Sequence, residues 1–293
     1  MPELRYPNRV RSLPLLDLDP DLGRMLSPDR RTEAASGLIV STQNLREGVL
    51  DLARLRAPSP SHIGVLIVDG VIAQEVLLGD TVSTELLGSG DVIRPWTSEE
   101  PVELLEAESR WTVLSEVSAA LLDRRFAVEL CSYPEVYSGI IDRLSQRSAR
   151  LATTKAISQM KRVDRRLIAL FWQLAERWGR MTAQGVRIPL RLSHRLLGQL
   201  VGARRPTISS ALAELVRAGE LVRPPDGTWL LPGDPVVLPA KRAERLIEPR
   251  LTALGSADRT RGHDVPCRGW CAVTAEAGAL ASTRAISAAE SPR

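Results

Sequence analysis

The sequence predicts an α+β fold, with an antiparallel β-barrel or jelly roll first, one long helix next and a cluster of short helices last. Three observations carry this. Short apolar runs punctuated by Gly, Pro and Asp fill the N-terminal third, the pattern of small antiparallel strands. From Pro134 the pattern changes to a sustained three-four spacing, the pattern of a helix. Near the end, two short amphipathic segments flank a Gly and are followed by an Asp-Gly hairpin signal.

The elements follow in chain order. PDLGRMLSPDRRTEAASG, residues 20–37, reads as one or two short helices. HIGVLIVDGVIAQEVLL, residues 62–78, places two apolar runs either side of Asp69-Gly70 and predicts a hairpin there. TVSTELLGSGDVI follows, with Gly88 and Gly90 as turn punctuation, and SRWTVLSEV, residues 109–117, is another strand. ALLDRRFAVEL, residues 120–130, reads as a helix leaving the barrel. On the long helix, Tyr137, Ile140, Leu144, Leu151, Thr154 and Ser158 make a narrow seam suited to pairing with a second copy. The alternative is a helix packed on its own barrel.

A further helix from about Asp164 carries a wide apolar face of Leu167, Ile168, Leu170, Phe171, Leu174 and Trp178. MTAQGVRIPLRL is a connector with strand character. Ser193 is a candidate N-cap for a helix buried through Leu196, Leu197, Leu200 and Val201. Gly202 supplies the positive φ of a tight turn. Ile208, Ala211, Leu212 and Leu215 give the next helix its buried stripe. LVRPPDGTWLLPG, residues 221–233, reads as a β-hairpin wing, which completes a winged helix-turn-helix. Trp96, Trp111, Trp172 and Trp178 are read as packing residues. The predicted domains are a barrel at 10–132, a dimerisation helix at 133–161, the winged helix-turn-helix at 162–233 and a disordered tail at 234–293. A short helix is expected within that tail, near Lys241 to Arg250.

Charge narrows the function. The chain of 293 residues has a net charge of +4, distributed unevenly. Residues 1–142 carry 13 basic and 23 acidic side chains, whereas residues 143–223 carry 17 and 4, a net +13. Residues 224–293 carry 9 and 8. A basic block on an acidic chain is the footprint of polyanion binding, against the plain alternative of a solvated helix face. No segment approaches the roughly 18 apolar residues of a membrane span. Cys131, Cys267 and Cys271 are too few and too badly placed for a disulfide scaffold, so a reducing cytoplasm is expected. His263, Cys267 and Cys271 have helical spacing but lack a fourth ligand and stand among Gly262, Pro266 and Gly269, so no metal is expected. A cupin-like barrel enzyme would need several His ligands, and only His62 lies in the barrel region. Neither P-loop, dinucleotide fingerprint nor nucleophile elbow occurs, so the chain is not read as an enzyme and no cofactor is expected.

The order barrel, long helix, winged helix resembles the Crp-Fnr family of bacterial transcription regulators over roughly residues 10–233. GARRPTISSAL, residues 202–212, is similar to the family's helix-turn-helix, LLGSGDVI to its barrel motif, and RRLIALFWQLAERWG to the helix after its interdomain hinge. The resemblance implies a cytoplasmic homodimer that binds double-stranded DNA, with RNA polymerase as a further partner. A recognition helix at about 205–218 would enter the major groove. It implies that Arg205 reads a base and Thr207 meets a phosphate, with Arg204, Ser209 and Ser210 beside them. Arg191, Ser193, Arg195 and Arg223 are the remaining DNA-contact candidates. The sequence departs from the best-known pattern at Pro206, where a glutamate often stands, and at Ser210, where a second arginine often stands. The barrel resembles a cyclic-nucleotide-binding domain whose pocket is degenerate. Arg94-Pro95 replaces the family's Gly-Glu pair, and Ser109 fills its arginine slot. Glu99, Glu100, Glu103, Glu106 and Glu108 would repel a phosphodiester within a Debye length of roughly 8 Å. Arg94 and Arg110 stay as candidates for an unrelated effector pocket, the effector being unknown and not cAMP. A protein-interaction module of the same fold that has lost DNA binding is the remaining alternative.

Overall fold

A computed structural model describes residues 11–51, 55, 62–95 and 107–233. The expected disorder of 234–293, the helix near Lys241, the His263/Cys267/Cys271 group and Trp96 lie outside the described residues. The N-terminal strands are β1 (Arg11–Pro14), β2 (Ile39–Leu45), β3 (Gly48–Val49), β4 (Gly64–Leu78), β5 (Thr81–Gly88), β6 (Val92–Ile93) and β7 (Glu108–Leu122). They form one antiparallel sheet in the order β1-β2-β7-β4-β5, with β3 on β7 and β6 on β4. The sheet curls as a jelly roll does but does not close, because β1 and β5 are not paired with each other. Helices α1 (Leu15–Leu18) and α2 (Pro28–Gly37) precede β2, with a 3-10 turn, Pro20–Gly23, between them.

The hairpin expected at Asp69-Gly70 is not there. Strand β4 runs straight through, pairing with β7 from Gly64↔Leu122 to Leu77↔Glu108, and its register shifts around Asp69 and Val71. Gly70 has φ +90, and a Cβ there would lie 2.3 Å from the Glu116 carbonyl oxygen. The Asp-Gly pair therefore makes a bulge against a close neighbour strand, not a reversal. The bulge re-aims the side chains. Val65 and Ile67 before it, and Ile72 after it, all face the sheet interior with Leu87, Trp111 and Val113. Leu66 faces the core of α1, α2 and the helices after β7, whereas Val71 and Ala73 face the C-terminal helices. The chain reverses later, at Gly79-Asp80 between β4 and β5.

The predicted helix over 120–130 is shorter than expected. Ala120 to Leu122 remain in β7, and α3 (Arg124–Leu130) begins after Asp123, whose carboxylate accepts from Phe126 N at 2.9 Å. Helix α4 (Pro134–Ser158) is the predicted long helix, with Pro134 in its first turn. Its seam differs from expectation at two positions. Ile140 is buried in the core with Val136 and Leu22, and Thr154 hydrogen-bonds Gln173 on the following helix. The apolar residues left exposed are Tyr137, Ile141, Leu144 and Leu151. Three-four spacing admits either Ile140 or Ile141, and the 3-10 turn packed beside Gly139 through Leu22 selects the first for the core.

The C-terminal part comprises α5 (Val163–Trp178), β8 (Arg180–Thr182), β9 (Gly185–Ile188), α6 (His194–Val201), α7 (Arg205–Arg217) and β10 (Trp229–Leu231). Phe171 packs on Trp229 with ring centroids 4.9 Å apart, at the centre of a core that joins α5, α6 and α7. That core is continuous with Val71, Ala73 and Leu86 of the sheet, so the helical part is seated on β4 and β5. Trp111 is buried in the sheet interior, and Trp178 lies against Gly88. No described helix is long and apolar enough to cross a membrane.

Candidate nucleic-acid interface

The helix-turn-helix forms where the local chemistry expects it. Ser193 caps α6, its hydroxyl accepting from Leu196 N at 3.1 Å. Gly202 closes α6 with φ +67 and ψ +48, the left-handed conformation that ends a helix cheaply only at glycine. Arg204 is the N-cap of α7, Arg205 its first residue and Pro206 its second. No side chain caps this helix, and no acid lies in its first turn. Its positive end thus faces outward beside two exposed arginines, an arrangement that costs local stability and suits an external anion. The Ser193 hydroxyl is spent on its cap. Ser193→Ala should therefore lower stability by about 1 kcal/mol, read as a shifted denaturant midpoint with an unchanged slope.

The candidate contacts divide by environment. Arg204, Arg205, Thr207 and Ser210 stand exposed on the first turns of α7, and Arg191, Ser193 and Arg195 stand exposed around the start of α6. Ser209 turns inward instead. Its hydroxyl donates to the Arg205 carbonyl at 3.1 Å and lies 2.9 Å from His194 Nδ1. Arg223, after α7, reaches back to His194 Nε2 at 3.2 Å and lies over the Trp229 ring at 5.0 Å. The wing is a three-stranded sheet, β10-β9-β8, with Val222 bridging Leu230. Asp226 accepts from the hydroxyl of Thr228 at 2.6 Å and from its N at 3.0 Å, and these bonds, with the Arg187 guanidinium adding to them, hold its carboxyl below the usual range.

The basic block is two populations. Arg143 pairs with Asp19, Arg147 with Glu85, and Arg150 and Arg177 both with Asp91. These four bind α4 and α5 to the acidic N-terminal part. Arg162 and Arg165 pair with Asp164, and Arg165 also with Glu220. Among the described residues, Arg191, Arg195, Arg204, Arg205 and Arg223 have no carboxylate within ion-pair distance. The sequence count alone cannot separate the two groups. It also missed His194, whose signal was its place directly after an N-cap serine and between candidate arginines.

Arg94 and Arg110 are not brought together. Arg94 follows Ile93, which pairs with Val65, while Arg110 pairs with Glu75. Those partners are ten residues apart on β4, roughly 30 Å of strand. Arg110 is moreover held by Glu108, at 2.8 and 3.0 Å. The two arginines therefore cannot line one effector pocket. The sheet interior that faces β4 is filled by Leu45, Ile72, Leu87, Ile93, Trp111 and Val113. No group of His, Cys, Asp or Glu that could hold a metal occurs among the described residues.

Residues 165–227 match the Crp-like helix-turn-helix domain. The regulatory protein CysR of Synechococcus elongatus is 30% identical over 149 residues, 50% of this chain and 64% of that protein. A CRP-like cAMP-activated global transcriptional regulator of Mycobacterium tuberculosis is 29% identical over 109 residues, 37% of this chain and 49% of that protein. The matches thus span less than two thirds of either relative. A cyclic nucleotide-binding domain containing protein of Listeria monocytogenes has the same fold, with a TM-score of 0.54 at 18% identity, over 73% of this chain and 96% of that one. Both relatives are regulators.

Proposed function

We propose that the chain is a transcription regulator of the Crp-Fnr family, a homodimer that binds specific sequences of double-stranded DNA, a reading that its similarity to the Crp-like helix-turn-helix domain and to CysR supports. The observation that carries this reading is the uncapped, acid-free start of α7, with Arg204 and Arg205 exposed and unneutralised. On this reading 10–132 is a sensor domain, 133–161 the dimerisation helix and 162–233 the DNA-binding domain. Two copies join along Tyr137, Ile141, Leu144 and Leu151 of α4. Each α7 enters a major groove, the two about one helical turn apart, roughly 34 Å. Arg205 donates to guanine O6 and N7, Thr207 meets a phosphate, and Arg191, Arg195, Arg204 and Arg223 position the domain on the backbone. Ser210 lies one turn beyond and reads bases weakly. The sensor domain takes no cAMP, since its interior is filled with apolar side chains and Ser109 stands where an arginine would hold the phosphate.

Selection of bound duplexes from a randomised pool tests the reading. The expected product is a two-fold-symmetric site with half-sites about 10 bp apart, and a binding constant that falls steeply with salt. A pool with no enriched sequence, or a chain that sediments as a monomer on the selected site, would refute it.

A further inference from the structure

Arg223, His194, Ser209 and the Arg205 carbonyl form a chain of hydrogen bonds that crosses the DNA-facing surface. Its directions can be assigned. A guanidinium has donors and no acceptor, so His194 Nε2, 3.2 Å from Arg223 Nη1, must accept. The proton of a neutral ring then sits on Nδ1 and is donated to Ser209 Oγ, 2.9 Å away. Ser209 in turn donates to the Arg205 carbonyl at 3.1 Å. Three elements meet in this chain: the segment entering the wing, the first residue of α6 and the first turn of α7.

We propose that His194, as a neutral imidazole carrying its proton on Nδ1, is the positioning residue that joins the wing arginine Arg223 to the start of the recognition helix. The proposal rests on the DNA-binding reading above and deepens it. Arg223 is held on one side by the Trp229 ring and on another by His194, so its guanidinium is presented in one orientation. Ser209 is withdrawn from DNA contact and fastens the backbone carbonyl of Arg205, the base-reading candidate. The charged groups acting on the ring are Arg223 from the wing side and Arg205 from α7, both cationic. Burial, then these two arginines, push the ring below the ordinary imidazole range. The neutral form therefore persists to lower pH than in a free histidine. Protonation would remove the acceptor that Arg223 uses and set a third cation between two others.

Two measurements on the full chain test this. In ¹⁵N-histidine-labelled protein, assigned by comparison with His194→Gln, the His194 ring should show a protonated Nδ1 and a bare Nε2 near neutral pH. It should also titrate below the ordinary imidazole value. An Nε2–H tautomer, or a ring charged at neutral pH, would overturn the proposal. The second measurement is the ratio of affinities for a selected duplex and a random one. His194→Ala should lower this ratio roughly 5- to 30-fold, the worth of one to two hydrogen bonds. His194→Gln, whose carbonyl can accept from Arg223, should recover part of it. The wild-type ratio should fall as the pH drops from about 8 to about 5, and the Gln variant's should stay flat. Equal ratios for wild type and His194→Ala would overturn the positioning role. A wild type that treats both duplexes alike sinks the DNA-binding reading instead, and the tautomer then still decides whether the relay exists.

Discussion

Asp91→Ala should lower stability by about 3–5 kcal/mol, the largest effect expected of any single substitution outside the hydrophobic core. The Asp91 carboxylate is 3% exposed and accepts from two arginines on different helices, Arg150 of α4 and Arg177 of α5. It also accepts from Gly88 N at 2.9 Å, which closes the turn between β5 and β6. The arginines are themselves mostly covered, at 28% and 17%. Arg177 lies over the Trp178 ring at 4.5 Å, and burial pushes its guanidinium downward against the pull of Asp91. Without the carboxylate, two half-desolvated cations face each other and lose their common partner. An exposed ion pair contributes about 0–1 kcal/mol, so the size of the loss separates the two cases. Denaturant unfolding measures it, and a loss under about 1 kcal/mol would mean that solvent, not the protein, satisfies these groups. Arg150→Met should cost less than Asp91→Ala, because Arg177 stays with the carboxylate at 2.7 Å. The measurement also bears on how the parts are joined, since Asp91 ties the sheet to both α4 and α5, the helix that opens the C-terminal helical part.

This clasp explains how far the sequence could be read. Elements whose signals are local were legible: the Ser193 cap, the Gly202 turn, the buried stripe of α7 and the helix from Pro134. The Asp69-Gly70 bulge was not, because alternating apolar residues on both sides suit a bulge as well as a turn. What distinguishes them is the approach of β7, some 45 residues later in the chain. The seam of α4 failed at Ile140 for the same reason, since a neighbour far away in sequence chose the buried position. The basic block is a real asymmetry of the chain but not a single exposed surface. Arg143, Arg147, Arg150 and Arg177 are 124, 62, 59 and 86 residues from the carboxylates that neutralise them. Part of the asymmetry between an acidic N-terminal part and a basic middle is therefore an internal match. What remains for an external polyanion is smaller, and it includes Arg191, Arg195, Arg204 and Arg205, exposed around the starts of α6 and α7.

Arg205→Ala should weaken binding to the selected site by about 1–3 kcal/mol, or roughly 5- to 150-fold, and relax preference at one base pair per half-site. It should not destabilise the fold. Arg205 is exposed, and among the described residues no carboxylate pairs with it. Its fixed contact is the backbone carbonyl that accepts from Ser209, which alanine retains. Removing a cation from the positive end of α7 should even stabilise the free protein slightly, by about 0.3–1 kcal/mol. Arg204→Ala makes the contrast. As a phosphate contact, Arg204 should weaken selected and random duplexes alike and reduce the salt slope by about 1. An Arg205→Ala variant that behaves the same way would move the base-reading role off Arg205. Pro206 sharpens the test. Its side chain has neither donor nor acceptor, so the base beside the arginine's guanine receives no hydrogen bond from the next residue. The discrimination of the first turn of α7 should then rest on Arg205, and the single substitution should remove most of it.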